Sequence, residues 1–185
     1  MKSVKSRDTG VFIIILVMSL AIGVIGNALI DRIYTWVYPE KYHNIVVKYS
    51  EEYSVPEELV FAVIKVESDF DPKAHSSAGA MGLMQMLPST YTWLASKLSE
   101  EAREELLYDP ETNIKYCTYY LSYLYSRFGT WEKAIIAYNW GEGNFSEFMN
   151  EHGYTEGDYS SIPVKETKNY VKKVMHHWEK YKELY

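Results

Sequence analysis

A single glutamate, Glu67, occupies a position where a carboxyl group can do acid–base chemistry. It lies four residues after Val63 and seven after Val60, so on a helix these three residues share one apolar face. A carboxylate on a core-facing stripe is costly unless it is paired or protonated, and the loss of water raises its pKa. A carboxyl group that is still protonated near neutral pH can act as a general acid. The alternative is a glutamate at a frayed helix end that reaches solvent or caps a neighbouring amide.

Motifs for other kinds of catalysis are missing from the sequence. It contains no HExxH, no glycine-rich phosphate loop and no GxSxG. Asp69 and Asp71 resemble part of a calcium loop, but alanine occupies its sixth and twelfth positions, at Ala74 and Ala80. Cys117 falls on an apolar stripe, which indicates packing rather than nucleophilic attack. We therefore expect no metal ion and no organic cofactor.

Three sequence blocks, taken together, resemble the soluble lytic transglycosylase (SLT) family. The first block is ESDFDPKAHSSAGAMGLMQ at residues 67–85, which continues into LPST at 87–90. The second block, AYNWG at residues 137–141, is similar to the AYNAG block of the family. The third block, IPVKETKNYV at residues 162–171, is similar to its IPxxET…YV block. The blocks occur in the order of the family, and the resemblance covers roughly residues 42–181.

The resemblance implies a fold, an activity and a set of site residues. SLT enzymes cleave peptidoglycan and share a goose-type-lysozyme-like fold, so we expect a mostly α, lysozyme-like single domain. Glu67 matches the catalytic acid and base of the family. Trp140 stands where the family commonly has alanine, which leaves the width of the cleft there open. Six further residues match positions that line the glycan cleft: Ser76, Gln85, Tyr138, Asn139, Glu166 and Tyr170.

Several of these contact residues also have a purely structural interpretation. Tyr138 and Tyr170 are suited to packing between helices, and Gln85 could simply bind the backbone of its own loop. Glu166 could be a residue of a first helical turn, where the helix dipole favours a carboxylate.

The residues that follow Glu67 do not offer a second catalytic carboxylate. Asp69 lies two residues further on, about 200° around a helix, and Asp71 precedes Pro72 beyond the helix end. With one carboxylate, the resemblance implies a non-hydrolytic reaction. Glu67 would protonate the oxygen between N-acetylmuramic acid and N-acetylglucosamine, and the muramoyl C6 hydroxyl would close on C1 to leave a 1,6-anhydro end. A hydrolytic muramidase on the same fold and a non-catalytic glycan-binding or assembly module are the alternatives.

Helical periodicity predicts the elements that must position these residues. Ser99 is expected to open one helix, and Asp109 and Thr130 are expected to cap two others. A short irregular hairpin is expected near residues 72–86, and other strand patterns are nearly absent. The predicted helices lie near residues 42–53, 56–70, 88–98, 100–107, 110–128, 131–138 and 163–181.

Composition narrows the classes of function. Of 185 residues, 47% are hydrophobic and 24% are charged, which is typical of globular domains and excludes wholesale disorder. The formal net charge of −6 argues against binding of nucleic acid, which needs clustered basic residues. A lone cysteine excludes an intrachain disulfide framework and a cysteine-based zinc cluster. The sequence does not identify a protein partner.

The N-terminal region predicts a membrane anchor. Residues 1–10 form a basic stub, and residues 11–30 (VFIIILVMSLAIGVIGNALI) form an uncharged apolar run that, as a helix, would span roughly 30 Å. Residues 31–40 are interpreted as a juxtamembrane linker, and residues 41–185 as the catalytic domain.

The orientation of this anchor follows from its charge. Lys2, Lys5 and Arg7 should remain in the cytoplasm, which places the domain of a single-pass protein on the extracytoplasmic side. The alternatives are a signal sequence cleaved near Gly26-Asn27-Ala28, with secretion of the domain, and a buried helix of a soluble protein. The expected partners are the glycan strands of peptidoglycan and, through residues 11–30, the membrane.

Overall fold

The computed structural model describes residues 4–185, which divide into two units. The first unit ends at Pro39, and the second covers Glu40–Tyr185. Helix α1, Val4–Val37, makes up most of the first unit. Its segment Gly10–Val37 is long and apolar enough to cross a membrane, and its large apolar side chains are exposed.

The second unit is built almost entirely from helices, as predicted. Within the described residues, its only extended pairings are two isolated antiparallel bridges, His75 with Met81 and Met81 with Met86. Short 3-10 helices cover Glu104–Tyr108 and Tyr159–Ser161. The α-helices are α2 (His43–Tyr53), α3 (Glu57–Ser68), α4 (Pro88–Lys97), α5 (Pro110–Phe128), α6 (Trp131–Trp140), α7 (Glu142–His152) and α8 (Lys165–Leu184).

Helix α3 is the buried centre of this unit and ends at the candidate site. It begins after Pro56, as predicted, and its residues 59–64 are all buried. Because helix α8 packs along it and α2 lies beside it, apolar side chains cover most of its circumference. The helix ends at Asp69, which adopts a left-handed conformation with φ of 50° and pairs with Lys65. The last turn of α3 therefore carries Glu67 from the core to the edge of the domain.

The capping predictions around α5 and α6 are confirmed. The Asp109 side chain accepts a hydrogen bond from the Thr112 amide at 2.9 Å, and the Thr130 hydroxyl accepts one from the Lys133 amide at 3.4 Å. Gly129 ends α5 with φ of 84°, a conformation that favours glycine. The two helices pack against each other, and this pairing places the second sequence block beside α5.

The predicted helix over residues 100–107 is wrong. Ser99 adopts φ of 56° instead of capping a helix, and only the 3-10 turn at Glu104–Tyr108 forms. The Glu100 carboxylate is bound by Lys115 Nζ and by Tyr116 Oη on α5, both at 2.6 Å. These contacts hold the segment that contains Glu100 against α5 in a non-helical conformation.

Helix α7 is absent from the sequence predictions. It follows α6 after Gly141 alone, which bends the chain with φ of 93°. Its buried residues are Phe145 and Phe148, three positions apart, and this pattern is too short to stand out in the sequence. Helix α8 begins at Lys165, two residues after the predicted start at Pro163.

Candidate active site

The Glu67 side chain lies in the last turn of α3, half-buried at the edge of the core. Burial raises the pKa of its carboxyl group from the ordinary value of 4.5 to about 7. Interaction with the Tyr170 hydroxyl opposes this rise, and the negative charge of Glu166 adds to it. The carboxyl group is therefore protonated in a large share of molecules at neutral pH, as the position of Glu67 on its apolar face predicts.

Tyr170 comes from the first half of α8, which packs along α3. Its ring is buried, and its hydroxyl forms no hydrogen bond of standard distance and angle with any described residue. The hydroxyl still interacts with Glu67. Burial is the largest cause that raises the pKa of Tyr170, and the negative charge of the Glu67 carboxylate raises it further. A buried hydroxyl with unused hydrogen-bonding capacity beside an acid can respond when the acid loses its proton.

Tyr138 approaches Glu67 from α6. Its hydroxyl donates a hydrogen bond of 2.8 Å to the carbonyl oxygen of Met84, and its ring centroid lies 5.5 Å from that of Tyr120. Burial raises the pKa of Tyr138 well above its ordinary value, and the charges of Cys117 and Glu67 contribute to the rise. Glu67 thus lies within electrostatic range of Tyr138, Tyr170 and Cys117, which come from three different helices.

The loop of residues 81–86 is fixed by side chains from neighbouring helices. Ser68 Oγ, next to Glu67, donates a hydrogen bond of 2.7 Å to the Leu83 carbonyl. Asn113, fully buried in α5, accepts a hydrogen bond from the Met84 amide at 2.8 Å. Its Nδ2 atom donates to the Met81 and Leu107 carbonyls at 2.9 Å each. This loop is consequently tied to α3 and α5 as well as, through Tyr138, to α6.

Gly82 is the residue that allows this close approach. Its φ is +79°, and a Cβ atom at this position would lie 2.1 Å from the Leu107 carbonyl oxygen and 2.3 Å from Asn113 Nδ2. No larger residue fits without displacing the loop or Asn113. The role of Asn113 is not predicted from the sequence, where its only signal is a lone amide residue beside the apolar stripe that Ile114 begins.

Ser76 and Gln85 both lie in the irregular hairpin predicted near residues 72–86 and contact its backbone. Ser76 Oγ accepts a hydrogen bond from the Ala80 amide at 2.9 Å. Gln85 Nε2 donates to the carbonyls of Gly82 at 2.9 Å and Ala74 at 3.2 Å. The loop-binding interpretation of Gln85 is therefore confirmed, and the glycan-binding role of both residues stays a prediction.

Two further residues of the predicted site lie on α6 and α8. Asn139 is half-buried and follows Tyr138, and Glu166 is exposed in the first turn of α8. Glu166 reaches Glu67 electrostatically, whereas Asp69 is exposed and pairs with Lys65. Among the described residues, Glu166 is the carboxylate whose charge acts on Glu67.

Trp140 is directed away from the face of α6 that carries Tyr138. The two residues are two positions apart, about 200° around the helix. The Trp140 ring centroid lies 5.5 Å from that of Phe148 and 6.3 Å from that of Phe145. It lines a cavity of about 330 Å³ together with Pro163 and residues of α7. The tryptophan therefore does not reach the surroundings of Glu67.

These features define a class of protein: a mostly helical domain in which one partly buried carboxyl group, at the end of a buried helix, interacts electrostatically with two tyrosines. Among residues 4–185 there is no cluster of three or more side chains suited to bind a metal ion. Glu67 supplies a carboxyl group with a pKa of about 7. Such a group can donate a proton to a leaving oxygen and accept one afterwards.

Comparison with known proteins identifies the family. The Transglycosylase SLT domain matches residues 44–160, and the chain belongs to this family. The family and the lysozyme-like fold class expected from the three sequence blocks are confirmed.

Named relatives agree with this assignment. The chain is 35% identical to the soluble lytic murein transglycosylase of Escherichia coli over 75% of its length, and 30% identical to membrane-bound lytic murein transglycosylase C of Serratia proteamaculans over 92%. Its fold matches that of an inactive Glu-to-Gln mutant of lytic transglycosylase Slt from Pseudomonas aeruginosa, with a TM-score of 0.73 and 29% identity over 79% of the chain.

The chain corresponds to only part of each of these proteins. It spans 22% of the E. coli relative, 52% of the S. proteamaculans relative and 24% of the P. aeruginosa chain.

Proposed function

We propose that the protein is a peptidoglycan lytic transglycosylase that cleaves the β-1,4 bond between N-acetylmuramic acid and N-acetylglucosamine without water. The observation that carries this proposal is the placement of Glu67, partly buried at the end of α3 and within electrostatic range of Tyr138 and Tyr170, in a chain of the SLT family. The names of the relatives support the same reaction.

The reaction needs one group that first gives and then takes a proton. The Glu67 carboxyl donates its proton to the bridging oxygen, the bond from that oxygen to muramoyl C1 breaks, and N-acetylglucosamine leaves with a free hydroxyl. The oxygen of the substrate's own N-acetyl group holds the positive charge at C1. The Glu67 carboxylate then accepts the proton of the muramoyl C6 hydroxyl, whose oxygen bonds to C1. The products carry a 1,6-anhydro end, and Glu67 is protonated again.

The surroundings of Glu67 suit both halves of this cycle. A pKa of about 7 keeps both the acid and the carboxylate populated near neutral pH, so the same group can serve first as proton donor and then as proton acceptor. The Tyr170 hydroxyl lowers the pKa of Glu67 and so favours the carboxylate of the second half. The Glu166 charge favours the acid of the first half. The attacking hydroxyl belongs to the same sugar and has a high effective molarity.

The remaining site residues are proposed to hold the glycan strand. Ser76 and Gln85 would act from the hairpin, Tyr138 and Asn139 from α6, and Glu166 from the start of α8. The fixed geometry of loop 81–86 supports this role for Gln85, because a rigid loop loses little entropy when it binds a sugar chain.

We further propose that α1 anchors the domain on the extracytoplasmic side of the membrane. The apolar helix and the membrane-bound relatives support an anchor, and the basic residues at positions 2, 5 and 7 support this orientation. The enzyme would then act on peptidoglycan close to the bilayer.

Replacement of the acid tests the proposed reaction. Purified sacculi are digested with the wild-type protein, with Glu67→Gln and, as a control at the start of the same helix, with Glu58→Gln; product ends are read by mass spectrometry. We expect anhydromuramoyl ends from the wild type and the control, and a loss of at least about 100-fold in rate for Glu67→Gln. Reducing muramoyl ends would instead indicate a hydrolytic muramidase. Equal rates for all three proteins would refute the assignment of Glu67.

A further inference from the structure

A row of aromatic rings leads from the candidate site to the surface of the domain. From Tyr138 it continues to Tyr120 at 5.5 Å, and from there to Trp93 and Tyr123, each 6.3 Å away between ring centroids. Trp93 and Tyr123 contact each other at 5.1 Å. The row crosses α6, α5 and α4 without interruption.

The outer end of this row is accessible to solvent and bordered by polar groups. Tyr120 is buried, whereas Trp93 and Tyr123 are partly exposed. Lys97 Nζ lies 4.7 Å from the Trp93 ring centroid and 5.8 Å from that of Tyr123. The Tyr123 hydroxyl donates to Glu142 at 2.7 Å, and this bond fixes the orientation of the ring.

We propose that Trp93, Tyr123 and Lys97 form an outer sugar-binding platform that binds an N-acetylated sugar of the same glycan strand that Glu67 cleaves. This inference rests on the proposed function for the identity of the strand. Aromatic faces bind the apolar faces of sugar rings, and amino and carboxylate groups at the border can bind their hydroxyl groups. One buried ring, Tyr120, separates the platform from Tyr138, so the platform lies close enough to the site for the same extended strand to reach it.

The chain provides a matched control in a second aromatic pair. Tyr125 and Trp131 stack at 4.1 Å and line a cavity with Pro56 and Glu57, at the opposite end of α3 from Glu67. That pair has no ring contact with the row that starts at Tyr138 among the described residues. Substitution within this pair should therefore change the local surface without affecting the binding of the glycan strand.

Binding to the full chain in detergent, with Glu67→Gln to prevent cleavage, tests the platform. The probes are glycan strands freed of stem peptides, one a tetrasaccharide and one an octasaccharide, measured by calorimetry. We expect Trp93→Ala to raise the Kd of the octasaccharide about tenfold and the Kd of the tetrasaccharide by less than about twofold. Trp93→Phe should recover most of the affinity, and Trp131→Ala should leave both ligands unchanged. The proposal would be overturned if Trp93→Ala weakened the binding of both oligosaccharides equally or of neither. It would also be overturned if Trp131→Ala caused the same loss of affinity.

A kinetic measurement separates the platform from the reaction itself. With Glu67 intact, Trp93→Ala should raise KM for long strands and leave kcat unchanged, because the platform contacts the strand equally in the ground and transition states. If the wild type released no anhydro products, the proposed function would fail while the binding experiment would still decide the platform. A lower kcat with an unchanged KM would overturn the platform alone.

Discussion

The pKa of Glu67 results from opposing contributions that can be changed one at a time. Burial provides the largest contribution and raises the pKa, Tyr170 lowers it, and Glu166 raises it. Because Tyr170 and Glu166 lie on the same helix, α8, the position of one element sets both of the smaller contributions.

The pH dependence of the reaction should follow the protonated fraction of Glu67. Above a pH of about 7 the acid is lost, so kcat/KM should fall by about tenfold per pH unit. Tyr170→Phe removes an interaction that lowers the pKa, so the decline should begin at higher pH. Glu166→Gln removes a negative charge, so it should begin at lower pH.

The control for this experiment is Glu179→Gln, an exposed position near the end of α8 that pairs with Lys182. It should leave the pH profile unchanged. Shifts of the two variants in the same direction would contradict the assigned interactions, even if both variants were less active.

Glu67 should also make the stability of the domain depend on pH. Its pKa is raised in the folded state. Its contribution to the free energy of unfolding is therefore fully present below a pH of about 4.5 and is lost as the pH rises through about 7. The loss amounts to up to about 3 kcal/mol in the free energy of unfolding. Glu67→Gln carries no titrating group and should gain stability relative to the wild type over this range. Denaturant unfolding of both proteins across it measures the effect; parallel curves would contradict it.

At the scale of elements, the loop of residues 81–86 has the most stringent packing. Gly79, just before this loop, and Gly82, within it, have similar backbone angles but different surroundings: φ is +84° at Gly79 and +79° at Gly82. A Cβ atom at Gly79 would meet nothing within 4 Å, whereas at Gly82 it would meet Leu107 and Asn113.

Alanine substitutions should therefore separate backbone strain from packing. Gly79→Ala should cost about 1–2 kcal/mol for the left-handed conformation. Gly82→Ala should cost about 1–3 kcal/mol more, because the loop or Asn113 must move, and it should also lower activity. Thermal unfolding and sacculus digestion measure both effects. Equal costs for the two variants would show that the close approach at Gly82 is not required.

The sequence predicts elements whose signals are local and misses those that depend on contacts between distant residues. The caps at Asp109 and Thr130 and the face of α3 follow from neighbouring residue types. The segment after Ser99 does not, because its conformation depends on the binding of Glu100 to Lys115 and Tyr116.

The same distinction applies to the site. The proposed role of Glu67 follows from periodicity and from the first sequence block. The role of Asn113 does not, since its backbone partners at Met81 and Met84 are about 30 residues away in sequence.

For the whole molecule, the division at Pro39 predicts how the parts behave when separated. A chain that begins at Glu40 keeps every helix of the second unit and should fold and remain in the soluble fraction. If α1 is the proposed anchor, the full chain should sediment with membranes, retain its full mass and resist release by high salt, because an apolar helix is held by apolar contacts that salt does not weaken. Fractionation with mass spectrometry tests this. A shorter soluble product from the full chain would instead indicate a cleaved signal sequence.

The one cysteine of the chain, Cys117, is fully buried beside the Tyr138 ring. A thiol reagent can reach it only when the helices around Cys117 and Glu67 move apart, and burial further slows the reaction by raising the pKa of the thiol. The rate of labelling therefore reports transient opening of the core around Glu67, and it can be measured in the unaltered protein without an introduced probe.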